Sequence, residues 1–312
     1  MKPTHPFRFG IACNANTRAE LIDQARQAED LGYATLVFED HLSKALSPIP
    51  TMVAAAEATT TLRVGSYVFG NDFRHPVQLA RDAATVDLLT DGRLEVGLGT
   101  GWAHSDYAQS GLPLDPPAVR VNRLEEAVQV LKGAWRSEPF SFTGKHYQIT
   151  DLTGLPIPTQ HPHPRLMIGG GGKRMLTIAA QEADIVSVNA RTTATSGLDF
   201  MSLTAEATDE KIGWVRAAAG ERFPDLELNV LVIGATITAN RRRAAEEGLR
   251  AYGLDKLLTV DQALEMPVSL FGTVDEMAEQ LIQRRERYGF SYIVLMQGMV
   301  DFAPVVARLA GK

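Results

Sequence analysis

The sequence predicts an α/β fold, a single (β/α)8 TIM barrel with insertions after strands 4 and 7. Three observations predict it. Eight short apolar runs occur along 312 residues, and each is followed by a helical stretch. That count and order suit a barrel of roughly 250 residues, with the remainder in insertions. No low-complexity linker or close internal repeat divides the chain, so residues 1–312 read as one domain. A doubly wound sheet is the alternative for the same alternation.

Phe7–Cys13 is the first strand. Thr17 and Glu20 form a capping-box pattern, and Leu21, Ala25, Ala28 and Leu31 follow at helical spacing until Gly32. Ala34–Phe38 is the second strand. Pro48 opens an alanine-rich helix to Thr60, and Leu62–Phe69 is the third strand. Pro76 sits at a first-turn position that proline tolerates. Gly92 closes that helical region before the fourth strand, Arg93–Leu98. The rhythm then breaks into a loop (Ala103–Pro117), a helix (Arg120–Trp135), an aromatic hairpin (Phe140–Leu152) and a proline-rich stretch holding His161 and His163. It resumes with strand Arg165–Ile168, helix Arg174–Gln181 and strand Ile185–Val188. A helix over Glu206–Ala219, strand Leu226–Ile233 and a helix over Ala239–Tyr252 follow. Thr273 and Glu276 form a second capping box. Behind it Val274, Met277, Ala278, Leu281 and Ile282 share one helical face. Tyr292–Met296 is the last strand, and a short helix ends the chain.

Composition narrows the function. A hydrophobic content of 45% excludes a mainly disordered chain. One cysteine, Cys13, excludes an intrachain disulfide and a cysteine-rich zinc site, and reads as a small buried hydrophobe. A net charge of -6 argues against non-specific nucleic-acid binding. The run Arg241–Arg243 precedes Glu246 and Glu247 and reads as a solvated helix face. No secretory leader and no apolar run of membrane-spanning length are visible, so the expected location is the cytoplasm.

Barrel enzymes place their chemistry at the carboxyl ends of the strands. Those ends deliver Cys13, then Glu39-Asp40-His41, then Phe69-Gly70-Asn71, then Gly99 to Trp102, then Gly169 to Lys173, then Asn189, Arg191 and Gln297. A glycosidase needs two facing carboxylates, and beyond Glu39-Asp40 no second acid appears. A metallohydrolase needs clustered His and Asp ligands, and Asp40-His41 stands alone. No Gly-x-Ser-x-Gly elbow occurs. Four glycines, Gly169 to Gly172, lie between a strand and a helix. A helix N-terminus there offers free N–H groups to a phosphate. A glycine-tolerant turn is the bland alternative. Gly97 to Gly101 is too far into the chain for a dinucleotide fingerprint and reads as backbone left bare for a flat ring. His41 reads as a catalytic group or as a satisfied polar residue, and Trp102 as a barrel plug or a pocket wall.

The chain resembles the bacterial luciferase-like superfamily and, within it, the coenzyme F420-dependent oxidoreductases of actinobacteria. The resemblance is carried by Ala28-Glu-Asp-Leu-Gly-Tyr33, Glu39-Asp-His41, Leu62-Arg-Val-Gly-Ser66 and Asn71-Asp-Phe-Arg-His-Pro76. It continues in Asp91-Gly-Arg93, Gly97-Leu-Gly-Thr-Gly-Trp102, Arg123-Leu-Glu-Glu126 and Ile168-Gly-Gly-Gly-Gly172. It covers most of the chain to Ala190 and is weaker beyond.

The resemblance implies a hydride transfer between coenzyme F420 and an organic substrate. Asp40 would contact the ring's polar edge, and His41 would act near the hydride-carrying carbon. Ser66 would form a non-proline cis peptide with Tyr67 behind the ring. Phe69, Thr100 and Gly101 would line the ring and its ribityl chain. Gly170, Gly171, Gly172, Arg174 and Met175 would hold the phosphate. Where the family's sugar-phosphate dehydrogenases carry a proton-donating glutamate, this chain has Trp102. That departure points away from sugar phosphates and towards a bulkier, more apolar substrate, with His41 and Trp102 at the reacting centre. The resemblance also implies a homodimer acting on a small molecule, without nucleic acid or membrane.

The nearest rival is a monooxygenase using flavin mononucleotide (FMN) and oxygen. A non-catalytic cofactor carrier and a methyl-donor or NAD enzyme are further rivals. The segment from Arg191 to Glu206, rich in Thr, Gly and Ser, reads as a lid over the site.

Overall fold

The eight expected strands are present, and each ends within a few residues of its sequence limits. They are β1 (Arg8–Ala12), β2 (Thr35–Phe38), β3 (Arg63–Ser66), β4 (Leu94–Gly99), β5 (Arg165–Gly170), β6 (Ile185–Val188), β7 (Glu227–Val232) and β8 (Phe290–Leu295). The computed structural model describes residues 5–193 and 197–312. The strands run in the order β3-β2-β1-β8-β7-β6-β5-β4, and β3 also pairs with β4, which closes a parallel barrel surrounded by helices. No helix among the described residues is long and apolar enough to cross a membrane.

Contacts divide the chain into two compact units. One holds residues through Ala12, Gln27–Leu36 and Gly169–Lys312. Its centre is β8, where Phe290 to Leu295 are buried because a parallel strand is covered on both faces. β1 pairs with β8 from Arg8↔Tyr292 to Ile11↔Leu295. Arg8 lies over the Tyr292 ring, 3.6 Å from its centroid, and bonds Glu227 at 2.6 and 2.7 Å. The arginine thereby places its charge against a buried carboxylate with both oxygens engaged. The Thr273 box forms in full: Glu276 N–H donates to Thr273 Oγ1, and Thr273 N–H donates to the Glu276 carboxylate at 2.7 Å.

In the same unit β7 is followed by the expected helix, observed as Arg241–Ala251, and by elements that periodicity missed: Gly234–Ile237, which pairs in parallel with Ser269–Gly272, and helix Val260–Glu265. Of the expected lid, Arg191–Thr193 and Gly197–Asp199 pair as antiparallel strands, and residues 194–196 lie outside the described residues.

The other unit holds Cys13–Arg26 and Val37–Ile168. The Thr17 box is only half formed. Glu20 N–H donates to Thr17 Oγ1, but the Glu20 carboxylate accepts from Asn16 N–H at 2.7 Å. The third strand is shorter than expected: β3 stops at Ser66, and Phe69–Gly70 pairs separately with β4. The hairpin is present as Phe140–Thr143 and Gln148–Leu152. Glu126, from helix Pro117–Ala134, accepts N–H bonds from Lys145, His146 and Tyr147 and so pins its turn. The proline-rich stretch is anchored by Gln160, whose amide donates to the buried Asp87 and to the Leu94 carbonyl.

Candidate functional site

β2 ends at Phe38 and delivers Glu39, Asp40 and His41 in turn. Glu39 is taken up by Lys44, 2.6 Å away, at the edge of a polar cavity of about 210 Å³ also lined by Asn14 and Ser43. Asp40 is gripped by Arg74 through two bonds of 2.5 and 2.9 Å, and it also accepts from Gly70 N–H. A carboxylate has about four lone-pair positions, so one remains for a ligand. The Arg74 guanidinium also covers the Phe69 ring, 5.0 Å from its centroid, and Phe69 is only 2% exposed.

His41 has the most directed partner. Its Nδ1 lies 2.6 Å from Asp106 Oδ2, while Asp106 Oδ1 accepts from Leu42 N–H at 3.2 Å. Asp106 is 3% exposed. A carboxylate can only accept, so Nδ1 carries the proton and Nε2 is left as the working nitrogen. The Trp102 ring meets His41 edge-on, with centroids 5.7 Å apart and planes at 85°. Trp102 is 40% exposed, so it is not a buried plug. Leu42 and Leu112 are exposed in the same unit.

Asp106 was missed because Ala103–Pro117 reads as a loop. The structure places a seven-residue helix there, His104–Ser110, ended by Gly111 in the left-handed region. The available signal was that glycine, a common helix stop, with Asp106 in the turn before it.

The cis peptide lies one residue later than expected, at Tyr67–Val68. Ser66 is held in the strand instead. Its hydroxyl donates to the Gly97 carbonyl at 2.9 Å and accepts from Gly97 N–H at 2.8 Å. Tyr67 N–H still bonds the Phe38 carbonyl at 2.7 Å, so the chain departs only after Tyr67. This departure also explains two glycines. A Cβ on Gly97 would overlap the Ser66 carbonyl, and one on Gly99 would come 2.7 Å from the Val68 side chain. Gly97 is bare for the neighbouring Ser66 backbone, and Gly99 for the Val68 side chain.

Thr100 and Gly101 follow β4. Gly101 has φ +73°, and a Cβ there would overlap the Tyr107 hydroxyl. Arg120 donates to the Gly101 carbonyl and, through Nε, to the Asp115 carbonyl at 2.9 Å. Arg123 joins Asp72 at 2.8 Å and also meets Asp115. The Tyr107 hydroxyl donates to Asp72 at 2.9 Å. Burial and the neighbouring Asp72 push the Tyr107 phenol well above its ordinary range. The Gly101 turn is therefore braced from below by buried charge.

The glycine run belongs to the other unit. Gly170 lies under Met175, whose Cβ would be 2.7 Å from a Cβ on the glycine. Gly171 abuts the backbone of Ala190 and Arg191. A Cβ on Gly172, by contrast, would meet nothing within 4 Å. Gly172 precedes helix Lys173–Glu182, which has no side-chain cap at its N-terminus. Lys173 and Arg174 are exposed there, while Met175 is buried.

Nearby in sequence, Asn189 N–H bonds the Gly170 carbonyl at 2.9 Å. Lys211 is 2% exposed and donates to the carbonyls of Asn189 and Ser202, at 2.6 and 2.5 Å. Burial, reinforced by Arg191, pulls its ammonium down to about 8. Sequence reading missed Lys211, since a lysine within a helix reads as surface.

Burial pushes the Cys13 thiol up, consistent with an inert small residue. His163 packs against Trp135, centroids 5.7 Å apart. No metal-ligating cluster of His, Cys, Asp and Glu occurs among the described residues.

Residues 4–265 match the family model described as luciferase-like monooxygenase. The chain is 28% identical over 194 residues to an FMNH(2)-dependent dimethylsulfone monooxygenase of Pseudomonas putida, covering 62% of this chain and 50% of that protein. It is 30% identical over 160 residues to an F420-dependent glucose-6-phosphate dehydrogenase of Amycolatopsis mediterranei, covering 49% and 48% respectively. The chain thus spans about half the length of the curated relatives it matches. The coenzyme F420-dependent tetrahydromethanopterin reductase of Methanopyrus kandleri has the same fold. Its TM-score is 0.77 at 17% identity, over 97% of this chain and 96% of that one.

Proposed function

Because the chain belongs to the luciferase-like monooxygenase family, we propose that it is an oxidoreductase that transfers a hydride between coenzyme F420 and an organic substrate. The observation that carries this reading is the His41–Asp106 pair beside the exposed Trp102. It supplies a directed proton site in an apolar setting, without the glutamate that sugar-phosphate oxidation uses. The F420-dependent relatives add support.

Two observations support a flavin-type cofactor. Gly172 leaves space at an uncapped helix N-terminus, where a phosphate is favoured. Asp40 is held rigidly with acceptor capacity to spare. In this reading Asp40, Ser66, Tyr67, Phe69, Thr100 and Gly101 serve the ring and ribityl chain. Gly170, Gly171, Gly172, Arg174 and Met175 serve the phosphate. When bound, the deazaflavin supplies or accepts the hydride.

The protein's part is proton handling and orientation. Asp106 keeps the Nδ1 proton in place. His41 Nε2 takes the hydroxyl proton of an alcohol as its carbon is oxidised, or returns a proton to a carbonyl oxygen as its carbon is reduced. Trp102 orients the substrate through its face and excludes water.

The test is a titration of intrinsic tryptophan fluorescence with coenzyme F420 and, separately, FMN. Micromolar quenching by F420 alone supports the reading. His41→Ala should then slow turnover by about 10²-fold or more while leaving F420 affinity within a few-fold. Equal turnover would remove His41 from the mechanism.

The second reading is an FMN-dependent monooxygenase, favoured by the dimethylsulfone monooxygenase relative. Preference for FMN, with oxygen consumption when reduced flavin is supplied, would establish it instead.

A further inference from the structure

The layer added after β7 encloses a cavity of about 330 Å³. It lies within the unit that contains β7 and β8. Ile233 follows the carboxyl end of β7 and Gln297 that of β8, and both line it. None of the residues assigned above to ring, phosphate or proton transfer lines it.

The lining combines apolar walls with a few exposed polar groups. Its walls are apolar, with Leu249, Leu258, Met266 and Phe271 all buried. Small residues leave the space open: Ala244, Ala245 and Gly248 face it from helix Arg241–Ala251. Thr236, Tyr252 and Gln297 also line it and are exposed, and their side chains make no hydrogen bond among the described residues. Tyr252 is 51% exposed. The other polar lining groups are already used. Ser269 Oγ donates to the Ala263 carbonyl at 2.6 Å, and Glu247 pairs with Arg243 at 2.8 Å. Among the described residues no unpaired charge lines the cavity, so none of them would balance an ionised ligand.

We infer that this cavity binds a neutral, largely hydrocarbon molecule of roughly ten non-hydrogen atoms, taking about 30 Å³ for each as for a water molecule, with one hydroxyl or carbonyl group to meet Thr236, Tyr252 or Gln297. The volume lies at the low end of the range for small-molecule sites, and apolar walls with a few polar groups are their usual make-up. Such a site is independent of the proposed oxidoreductase activity, since none of the residues assigned to ring, phosphate or proton transfer lines it.

Binding can be measured without any cofactor. The probe is 1-aminonaphthalene, a neutral aromatic amine whose emission shifts to the blue in an apolar site. Wild-type protein should bind it saturably at one site per chain. Gly248→Leu fills the cavity from a helix interior, where leucine is a better helix former than glycine. A Cβ there meets only the Phe271 ring, at ordinary contact distances of 3.5 and 3.8 Å. Its affinity should fall at least tenfold, with the circular dichroism spectrum and melting temperature maintained. Ala251→Phe, on the exposed edge, should narrow the same cavity by an independent route. His41→Ala should bind the probe like wild type. No saturable binding by wild type, or undiminished binding by both cavity variants, would overturn the inference. Failure of the F420 titration would leave this result standing, and success there would not rescue it.

Discussion

His41 Nδ1 lies 2.6 Å from Asp106 Oδ2, across 65 residues of sequence. The pair joins the end of β2 to a short helix after β4. A histidine at a strand end becomes a directed base only when its far nitrogen is held, and a buried carboxylate holds it. Asp106→Asn keeps the shape but puts a possible N–H donor where only an acceptor stood. Turnover should drop by about 10²-fold or more, with cofactor affinity within a few-fold. Steady-state kinetics beside a binding titration would show this, and equal losses in both would make Asp106 a folding residue instead.

Asp40 and Arg74 form the second directed pair, and both are largely buried. Removing one partner strands a charge, which costs about 3 kcal/mol or more in such settings. Arg74→Met should therefore destabilise more than Asp40→Asn, which leaves a neutral amide that still accepts from Gly70 N–H. Urea unfolding of the two variants decides the point. Equal losses would mean that the guanidinium contributes mainly by covering Phe69.

The glycine run separates structure from ligand binding within two positions. Gly171→Ala would force a methyl into the Ala190 carbonyl and should lower the melting temperature by several degrees. Gly172→Ala meets nothing within 4 Å and should leave stability unchanged. If Gly172 faces the cofactor phosphate, the same methyl should weaken binding by about tenfold, the equivalent of roughly 1.4 kcal/mol. Unchanged affinity for both F420 and FMN would move the phosphate elsewhere.

These positions also show what the sequence could reveal. The barrel was legible because β1 to β8 are short apolar runs punctuated by helix caps such as Thr273 and Glu276, and both signals are local. Asp40 and His41 were legible because they end a strand. Their partners were not. Asp106 sits in a seven-residue helix too short to show periodicity, and Arg74 lies 34 residues from Asp40, a pairing that local propensity does not encode. Gly97 looked like a ring-facing residue because its neighbour across the sheet, Ser66, is 31 residues away. The strand pair of Gly234–Ile237 with Ser269–Gly272 was missed because its pairing is non-local.

Lys211 makes the last prediction, and its sign can be worked out. Its ammonium is pulled down to about 8 in the folded protein, against an ordinary value of 10.5. Between these two values the unfolded chain keeps the proton and the folded chain has lost it. Stability rises with pH wherever the unfolded state binds more protons. The burial cost is therefore fully present below pH 8 and is relieved as pH climbs towards 10.5. A neutral amine still has two hydrogens for the carbonyls of Asn189 and Ser202, so the bonds survive deprotonation. Lys211→Met lacks this titration. Wild type should gain on the variant by up to about 3 kcal/mol between pH 7.5 and pH 10.5. The buried tyrosines titrate in both proteins and cancel in the difference. Urea unfolding of both across this range reads it directly, and a flat difference would mean that Lys211 keeps its proton near the ordinary value.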